Sequence, residues 1–325
     1  MSIEVVKPGL LTTPQDGGRF GYVHLGVGHA GAFDGPALRV ANALAGNPGD
    51  ACALEITLLG PTLKFRRDAW IALTGAQASA RVDGRVLPMW APCFIAADSV
   101  LTLGALAQGC RAYLAVHGGF DFEPVLGSHS HDVNAALGPL GRQLRAGDVL
   151  KIGAPTDGMP NVMPSTSPRW SIDPRPWFDA DAERPLRLLP GTHTHLLDAP
   201  SREALYAQAF RIAAESNRVG CRLEGVPLEF SQPVELVSEA TVAGTVQLPP
   251  SGQPIALGVE HPVSGGYPRI GQIARVDLPL LAQRRPGDAL RFAPCSLGEA
   301  QNALRERELM LRSVESMIAK RLLET

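Results

Sequence analysis

The feature that most constrains the fold is a ten-residue stretch that occurs twice. QLRAGDVLKI at residues 143–152 returns as QRRPGDALRF at residues 283–292, without a gap and at an offset of 140 residues. The shared positions, a Gly-Asp pair among them, are too specific to follow from composition alone. The repeat indicates a duplicated unit, and 325 residues are enough for two cores. We therefore expect two similar domains, spanning 1–153 and 185–295.

The residues outside these two domains predict a linker and a terminal helix. Residues 154–184 are rich in proline, serine and aspartate and show neither helical nor strand periodicity, which is typical of an interdomain linker. Residues 296–325 open with a capping box from Ser296 to Glu299. An apolar stripe indicates that this helix packs on a barrel or on a partner. The stripe consists of Leu304, Leu309, Val314, Met317 and Ile318.

Short apolar runs between glycine and proline residues predict a β-rich fold. The predicted strands include GYVHLGV at 21–27 and LEFSQPVEL at 228–236. In ARVDGRVLP, Asp83 and Gly84 predict a two-residue hairpin turn. Helices are few, with 35–47 and 201–216 predicted besides the C-terminal one. A barrel or a sandwich follows more naturally than an open parallel sheet.

Charge and cysteine usage narrow the function classes. The formal net charge is −2 and 19% of residues are charged, which disfavours binding to nucleic acid or to an acidic membrane. The five cysteines are scattered and contain no CxxC pair, so buried free thiols are expected rather than a disulfide framework or a zinc cage. No signal peptide and no long apolar run is evident, and we expect a cytoplasmic protein without a membrane span.

Two motifs suggest ligands but are weak by themselves. GVGHAG places Gly26, Gly28 and Gly31 in a dinucleotide-binding pattern. The chain lacks the alternating strand and helix rhythm of a Rossmann fold, although such a loop could bind an anion. The pairs His129 with His131 and His193 with His195 have the spacing of metal ligands on a strand, and polar histidines at a loop edge are the favoured interpretation.

Glycine-bearing polar loops are the more informative candidates for a site. They bring carboxylates, arginines, hydroxyls and open backbone N–H groups together, which suits an anionic or carbonyl substrate. We expect catalytic roles for Asp16, Asp34 and Tyr267. We expect substrate contacts from Gln15, Arg19, Gly118, Gly119, Ser128, His129, Arg218, Arg222, Gly265 and Gly266.

Five longer stretches, taken together, resemble a known family. They are residues 8–34, 41–65, 110–128, 216–225 and 264–288. Over nearly the whole chain they are similar, in the same order, to the biotin-dependent carboxyltransferase-like family. That family includes allophanate hydrolase subunit 2 and the C subunit of bacterial 5-oxoprolinase.

The resemblance implies a fold, partners and an activity. The fold would be mainly β, with two tandem cyclophilin-like β-barrel domains, a few helices and a C-terminal helix. The partners would be a B-type 5-oxoprolinase subunit, with the active cleft between the two proteins, and an A-type subunit. The chain would be the C-type subunit of an ATP-hydrolysing amidohydrolase that activates a lactam, 5-oxoproline, for ring opening. ATP would act with the partner subunit, and no tightly bound cofactor or metal is expected.

The chain departs from the family pattern in two loops. His129 stands where the family usually has arginine, and its usual DRQTTGGYP is EHPVSGGYP at 260–268. Guanidinium groups are always charged whereas histidine near pH 7 is mostly neutral, so a phosphate or carboxylate site would be weakened. Two alternatives therefore stay open: a subunit of a biotin-dependent urea or amide carboxyltransferase, and a non-catalytic regulatory binding protein of the same fold.

Overall fold

The chain groups into two units. In the computed structural model, the described residues are 2–154, 170–175 and 184–324. Unit 1 is formed by the described residues within three ranges, 1–19, 34–180 and 309–325. Unit 2 is formed by those within 20–33 and 181–308.

The grouping differs from the sequence-based bounds in an early segment and in the C-terminal segment 296–325, which is divided between unit 2 and unit 1 after residue 308. Residues 20–33 group with unit 2, although the sequence places them in the first domain. Most of the predicted linker, 154–184, lies outside the described residues. The domain bounds drawn from the sequence therefore stay a prediction.

Unit 1 is built on one sheet of nine strands. Its strands are β1 (Ser2–Lys7), β2 (Leu11–Gln15), β3 (Ala53–Thr57), β4 (Thr62–Phe65), β5 (Ala69–Val82), β6 (Arg85–Val86), β7 (Pro92–Ile95), β8 (Val100–Val116) and β9 (Val149–Lys151). The main path runs β2-β3-β8-β4-β1-β9, and β5 pairs with β6, β7 and β8. In this sheet all pairs are antiparallel, and the long strands β5 and β8 pair along most of their length.

The core of unit 1 follows from alternation along these strands. In β1, Ile3 and Val5 are fully buried while neighbouring side chains point outward. They pack in one cluster with residues such as Leu63 and Ile71. Alternation puts apolar side chains on one face of the sheet, and burying each contributes about 1.5–3 kcal/mol. The cluster therefore stabilises the sheet that carries the candidate site of unit 1.

Unit 2 contains a sheet of eight strands and a separate two-stranded sheet. The strands are β10 (Leu186–Pro190), β11 (Phe210–Ile212), β12 (Gly220–Glu224), β13 (Glu239–Ala240), β14 (Thr245–Gln247), β15 (Ile255–Leu257), β16 (Ser264–Gly265), β17 (Arg269–Ile273), β18 (Ala289–Leu290) and β19 (Phe292–Pro294). The large sheet runs β18-β11-β12-β15-β14-β17-β10-β19, and β13 pairs with β16. Its core includes Leu188, Phe210, Val246 and Ile270.

The repeated stretch adopts the same turn in both units. The Asp148 carboxylate accepts a hydrogen bond from the backbone N–H of Arg145 at 2.7 Å, and the Asp288 carboxylate accepts one from Arg285 at 2.8 Å. The glycine before each aspartate has a positive φ, 88° in unit 1 and 91° in unit 2. Positive φ favours glycine, and the aspartate closes the turn, which explains the shared Gly-Asp pair.

Each copy of the repeat then docks on a strand in the same way. Leu150 lies opposite Ile3 in the β1–β9 pair, and Leu290 lies opposite Phe210 in the β11–β18 pair. All four side chains are buried. The stretch that is duplicated in the sequence therefore forms the same turn and the same antiparallel strand pairing in both units.

Four α-helices occur in the described residues: α1 (Gly35–Leu44), α2 (Ala199–Ala207), α3 (Leu278–Ala282) and α4 (Leu297–Leu323). The capping box predicted at the start of α4 is present, because the Ser296 hydroxyl and backbone N–H both donate to the Glu299 carboxylate. The predicted stripe is only partly correct, since Leu309 and Met317 are exposed. The buried residues of α4 are Leu311, Val314, Ile318 and Leu322.

Two strands predicted from the sequence are wrong, and one predicted helix is too long. The predicted strand 21–27 contains a 3₁₀ helix, Val23–Leu25, without buried residues. The predicted strand 228–236 is irregular apart from an isolated bridge between Leu197 and Phe230. The helix predicted over 201–216 is shorter and ends at Ala207, because the chain beyond it enters the sheet as β11.

The fold class itself is confirmed. The protein is mainly β, with curled sheets that form a half-barrel and a nearly closed barrel, a few helices and a C-terminal helix. The hairpin turn at Asp83 and Gly84 is also confirmed, since both have positive φ, 48° and 82°. All five cysteines are buried free thiols, as expected.

Candidate functional site

In unit 1, a polar loop is held against the end of β2 by Asp16. Its carboxylate accepts hydrogen bonds from the hydroxyls of Ser128 and Ser130 and from the backbone N–H groups of Gly18 and His129. The backbone N–H of Asp16 in turn donates to the Ser130 hydroxyl at 3.0 Å. Two segments that are distant in sequence are thus joined through one side chain.

These contacts determine the charge of Asp16. Burial disfavours its carboxylate, but the hydrogen bonds from Ser130, Ser128, Gly18 and His129 outweigh that cost and lower the pKa of Asp16 below its usual 3.8. A carboxylate with a lowered pKa and four donors around it is a weak proton acceptor. The geometry gives Asp16 a clear role in organising the loop, and its catalytic role stays a prediction.

Gln15 and Arg19 flank Asp16 and are also buried. Arg19 is 1% exposed and donates from Nε to the Val125 carbonyl at 3.0 Å and from Nη2 to the Ser130 carbonyl at 2.8 Å. Gln15 donates to the His131 carbonyl at 2.8 Å. Within the described residues, Arg19 Nη1 and Gln15 Oε1 are enclosed and have no hydrogen-bond partner. This cluster therefore holds one donor and one acceptor that a bound water or ligand group could satisfy.

The structure brings five of the predicted unit 1 residues into this cluster. They are Gln15, Asp16, Arg19, Ser128 and His129. These residues approach because β2 and the loop around 128 lie side by side, with His129 contributing its backbone N–H.

Gly118 and Gly119 instead shape the turn that follows β8. Both have positive φ, 87° and 69°. A Cβ at Gly118 would lie 2.7 Å from the Ala154 carbonyl oxygen, so the backbone approaches too closely for any side chain. The N–H of Gly118 donates to Asn47 at 2.9 Å. Substrate contact by these glycines stays a prediction.

Asp34 begins α1 in unit 1. Its side chain accepts a hydrogen bond from the backbone N–H of Ala37 at 3.0 Å, which is the geometry of an N-cap. Its backbone N–H donates to the hydroxyl of Tyr113, which donates to the buried Glu55 at 2.7 Å. These contacts explain the burial of Asp34, and its catalytic role stays a prediction.

In unit 2, Arg218 and Arg222 lie in different surroundings. Arg218 is buried, forms an ion pair with the buried Glu260 and donates from Nη2 to the Gly31 carbonyl at 2.6 Å. Arg222 lies on β12 with its side chain exposed. The glycine loop at 26–31 is thus fixed in unit 2 by Arg218, and the two arginines do not share one binding surface.

The second glycine loop of unit 2 contains a close approach. Gly265 pairs with Glu239 in the two-stranded β13–β16 sheet. A Cβ at Gly265 would lie 2.6 Å from Nε2 of Gln247, so any side chain there would require the Gln247 amide to move. Gly266 is less confined, since its Cβ would come no nearer than 3.6 Å to other atoms, and Tyr267 is 46% exposed. This loop therefore contains an exposed tyrosine ring and a glycine packed against a buried amide.

Three polar residues beside this loop were missed as site residues. Thr241, Gln247 and His261 are all buried. Thr241 contacts His261 through its hydroxyl at 3.3 Å, and its methyl group lies 3.6 Å from the Cβ position of Gly265. His261 adjoins the motif and could have been included for that reason. Thr241 and Gln247 have no distinguishing sequence signal.

The histidine pairs do not form a metal site in the described residues. His193 is buried, and its Nδ1 accepts the backbone N–H of Arg269 at 3.0 Å, whereas His195 is exposed. Burial lowers the pKa of His193, and the charge of Glu239 opposes that shift. Within the described ranges, no three His, Cys, Asp or Glu side chains are grouped so that they could hold a metal ion. The described helices also include none long and apolar enough to cross a membrane.

Comparison with known proteins identifies the family. The family model for the carboxyltransferase domain, subdomain A and B, matches residues 25–294. The chain is a member of this carboxyltransferase family. The resemblance recognised in the sequence is therefore confirmed.

This member of the carboxyltransferase family covers different shares of the length of three related proteins. The chain is 39% identical to the C subunit of 5-oxoprolinase from Escherichia coli, over 94% of this chain and 95% of the relative. It is 33% identical to the C subunit of 5-oxoprolinase from Haemophilus influenzae, over 97% and 98%. The crystal structure of Kluyveromyces lactis urea carboxylase superimposes with a TM-score of 0.85 and 28% identity, covering 95% of this chain and 29% of that one.

Proposed function

We propose that the chain is a C-type subunit of an ATP-dependent 5-oxoprolinase-like amidohydrolase. With a B-type subunit it would activate a lactam, 5-oxoproline, for ring opening. The observation that carries this proposal is the match to two proteins named as C subunits of 5-oxoprolinase, across 95% and 98% of their lengths. Urea carboxylase, in contrast, is matched over 29% of its chain.

The proposal includes partners and a cofactor. A protein named as a subunit works in an assembly, which supports a B-type partner here and an A-type subunit that finishes ring opening. ATP would bind with the partner subunit and supply the phosphoryl group that activates the lactam carbonyl. The unit 1 cluster around Asp16 and the unit 2 loop at Gly265 would each contribute separately to substrate binding.

The chemistry of the two units is compatible with a polar, uncharged substrate group. In unit 1, the buried Arg19 and Gln15 leave one donor and one acceptor without partners among the described residues. In unit 2, Nε2 of the buried Gln247 is a donor that also has no partner among the described residues. An amide contains one carbonyl acceptor and one N–H donor, so it can satisfy such groups.

The test is ATP hydrolysis by this chain co-purified with a B-type subunit from the same organism. Phosphate release is measured with and without 5-oxoproline, and with each subunit alone as a control. We expect 5-oxoproline to stimulate hydrolysis by the pair only. Equal rates with and without 5-oxoproline, in a pair shown to be assembled by gel filtration, would contradict the proposal.

A second candidate is carboxyl transfer to urea or another amide. It is favoured by the description of the matching family and by the superposition on urea carboxylase at a TM-score of 0.85. It requires a biotin carboxylase and a biotinylated carrier as additional proteins. Bicarbonate-dependent carboxylation of urea by the chain mixed with such proteins would favour this function over lactam activation.

A third candidate, a regulatory binding protein of the same fold, would bind without turnover. An assembled pair that binds a lactam by calorimetry, yet hydrolyses no ATP, would support it.

A further inference from the structure

His261 in unit 2 is a buried histidine whose tautomer is set by its neighbours. It is 7% exposed, and its Nδ1 lies 2.9 Å from the carbonyl oxygen of Pro262 and 3.3 Å from the Thr241 hydroxyl. A carbonyl oxygen can only accept, so Nδ1 carries the hydrogen. The Thr241 hydroxyl donates its own hydrogen to the Pro262 carbonyl. Its oxygen lone pairs stay available to accept the hydrogen on Nδ1 of His261. In the neutral ring, the lone pair must then be on Nε2.

Nε2 of His261 is not engaged by the rest of unit 2. Across the described residues it has no hydrogen-bond partner, and it is not among the fully enclosed nitrogen atoms. Burial lowers the pKa of His261 below its usual 6.5; the bond to Pro262 opposes this shift, and the nearby His29 adds to it. The carboxylate of the preceding Glu260 is paired with Arg218. The imidazole is thus neutral near pH 7 and able to accept a proton.

A buried hydrogen-bond donor lies on the other side of Thr241. Gln247 is 4% exposed, and its Nε2 has no partner among the residues that the structure describes. The backbone of Gly265 packs directly against this amide, since a Cβ there would be 2.6 Å from Nε2 and 3.6 Å from the Thr241 methyl group. One donor and one base are therefore placed around the same threonine.

This pair of groups is complementary to an amide. A lactam offers a carbonyl oxygen that needs a donor and a ring N–H that needs an acceptor. Gln247 Nε2 provides the donor, and His261 Nε2 provides the acceptor. A carboxylate lacks the N–H group and would leave the base unused, so the arrangement suits the amide group of a substrate and not a carboxylate group.

We propose that His261 is the general base that removes the ring N–H proton of a cyclic amide bound in unit 2, while Gln247 donates to the carbonyl oxygen. The proposal rests on the proposed function, in which ATP activates the lactam. It assigns catalysis to a residue outside the set expected from the sequence.

Atoms and electrons balance in this step with ATP as co-reactant. The carbonyl π electrons form the new oxygen–phosphorus bond, and the bond between the γ-phosphorus and the bridging oxygen breaks with its electrons going to ADP. The nitrogen lone pair forms the C=N bond. The N–H electrons stay on nitrogen as its new lone pair, and the proton moves to His261 Nε2. The N–H becomes more acidic as the C=N bond forms, which matches it to an imidazole base.

The first test examines the tautomer and needs no activity. Long-range ¹H–¹⁵N spectra of the ¹⁵N-labelled full chain, with His261→Asn used to assign the signal, report which ring nitrogen carries hydrogen. We expect the Nδ1–H form, and a shift of the Nε2 signal on adding 5-oxoproline. An Nε2–H tautomer would overturn the proposal.

The second test uses turnover by the assembled pair. His261→Asn keeps an amide N–H for the Pro262 carbonyl and removes the base. We expect kcat to fall by about 10²–10⁴-fold, KM to stay within about 3-fold, and the acidic limb of the kcat/KM profile to disappear. His195→Asn, an exposed histidine of the same unit, is the matched control and should behave as wild type. Wild-type kcat in His261→Asn would overturn the proposal.

The two tests separate this inference from the proposed function. If the wild-type pair shows no lactam-stimulated ATP hydrolysis, the proposed function fails. The labelled chain is then titrated with urea and with 2-pyrrolidone. A shift at His261 Nε2 with one of these amides would support an amide site in unit 2, and no shift with any of them would overturn it.

Discussion

Asp148 and Asp288 form the same hydrogen bond in the two units, 140 residues apart in sequence. Each carboxylate accepts the backbone N–H of the arginine three residues earlier, at 2.7 and 2.8 Å. Asp148 also accepts two hydrogen bonds from the guanidinium of Arg142, at 2.8 and 2.7 Å. The two copies therefore share a turn, and unit 1 adds a charged pair to it.

This difference predicts unequal effects of the same substitution. Asparagine can still accept the backbone N–H but loses the charge that pairs with Arg142. We expect Asp148→Asn to lower the free energy of unfolding by about 1–3 kcal/mol and Asp288→Asn by less than about 1 kcal/mol. Urea unfolding of the full chain at pH 7, followed by circular dichroism, measures both. Equal losses would contradict the role given to Arg142.

Asp16 predicts a dependence of stability on pH. Its folded pKa lies below 3.8, because its hydrogen bonds to Ser130, Ser128 and two backbone N–H groups outweigh the cost of burial. A lowered folded pKa means that its stabilising contribution is complete above pH 3.8 and is lost as pH falls through the lower folded value. We expect the free energy of unfolding, measured by urea titration at a series of pH values, to fall below about pH 4 in the wild type and to fall less in Asp16→Ala.

At neutral pH, Asp16→Ala should also lower the free energy of unfolding. Asp16→Ala leaves two hydroxyls and two backbone N–H groups without their acceptor, which we expect to cost about 2–4 kcal/mol. Asp50→Ala is a suitable control, because Asp50 is an exposed aspartate of the same unit. A loss of less than about 1 kcal/mol at pH 7 would show that water replaces the carboxylate in this loop.

The parts of the fold that could be predicted from sequence are those fixed by local chemistry. The Gly-Asp turn, the Asp83–Gly84 hairpin and the Ser296–Glu299 capping box each depend on residues within a few positions of one another. Side-chain hydrogen bonds and positive φ values determine such features without tertiary contacts. The sequence therefore contains their signals directly.

Tertiary packing decided the elements that were predicted wrongly. The helix expected over 201–216 is in fact capped by Asp198, which accepts the backbone N–H of Ser201 at 2.8 Å. It stops at Ala207 because Phe210 and Ile212 are buried in the sheet of unit 2. Apolar residues at 205, 210 and 212 suit a helix or a strand, so the periodicity is ambiguous without the partner strand.

The residues of the candidate site also divide into those that local sequence indicates and those that only tertiary packing brings together. Asp16 and Arg19 were expected because polar residues beside glycines stand out in the sequence. Gln247 and His261 lie near Gly265 and Thr241 only in the folded unit 2. No spacing along the chain shows such proximity.

The C-terminal helix is tied to α1 by an ion pair that can be measured. Arg39 donates from Nε and Nη2 to the Glu315 carboxylate, at 2.8 and 2.7 Å. Both side chains are partly buried, and the geometry is bidentate, so we expect a coupling energy of about 1 kcal/mol in a double-mutant cycle with alanine. The exposed pair Lys320–Glu324 at the end of the same helix should give less than about 0.5 kcal/mol. Similar coupling energies in both cycles would show that the bidentate geometry of Arg39 and Glu315 does not strengthen their ion pair.

Arg218 allows structural and substrate-binding roles to be separated. It pairs with the buried Glu260 and donates to the Gly31 carbonyl, so Arg218→Met removes a buried ion-pair partner. We expect a loss of about 3–5 kcal/mol in the free energy of unfolding, while the exposed Arg222→Met changes it by no more than about 0.5 kcal/mol.

The double variant Arg218→Met/Glu260→Met decides between the two roles. Replacing both charges by apolar groups of similar volume should recover most of the stability, since no charge is left buried alone. If Arg218 acts only by fixing the glycine loop, lactam binding measured by calorimetry recovers in part with stability. If it holds the substrate, as expected from the sequence, binding stays lost in a folded protein, because the guanidinium that contacts the substrate is gone in both variants.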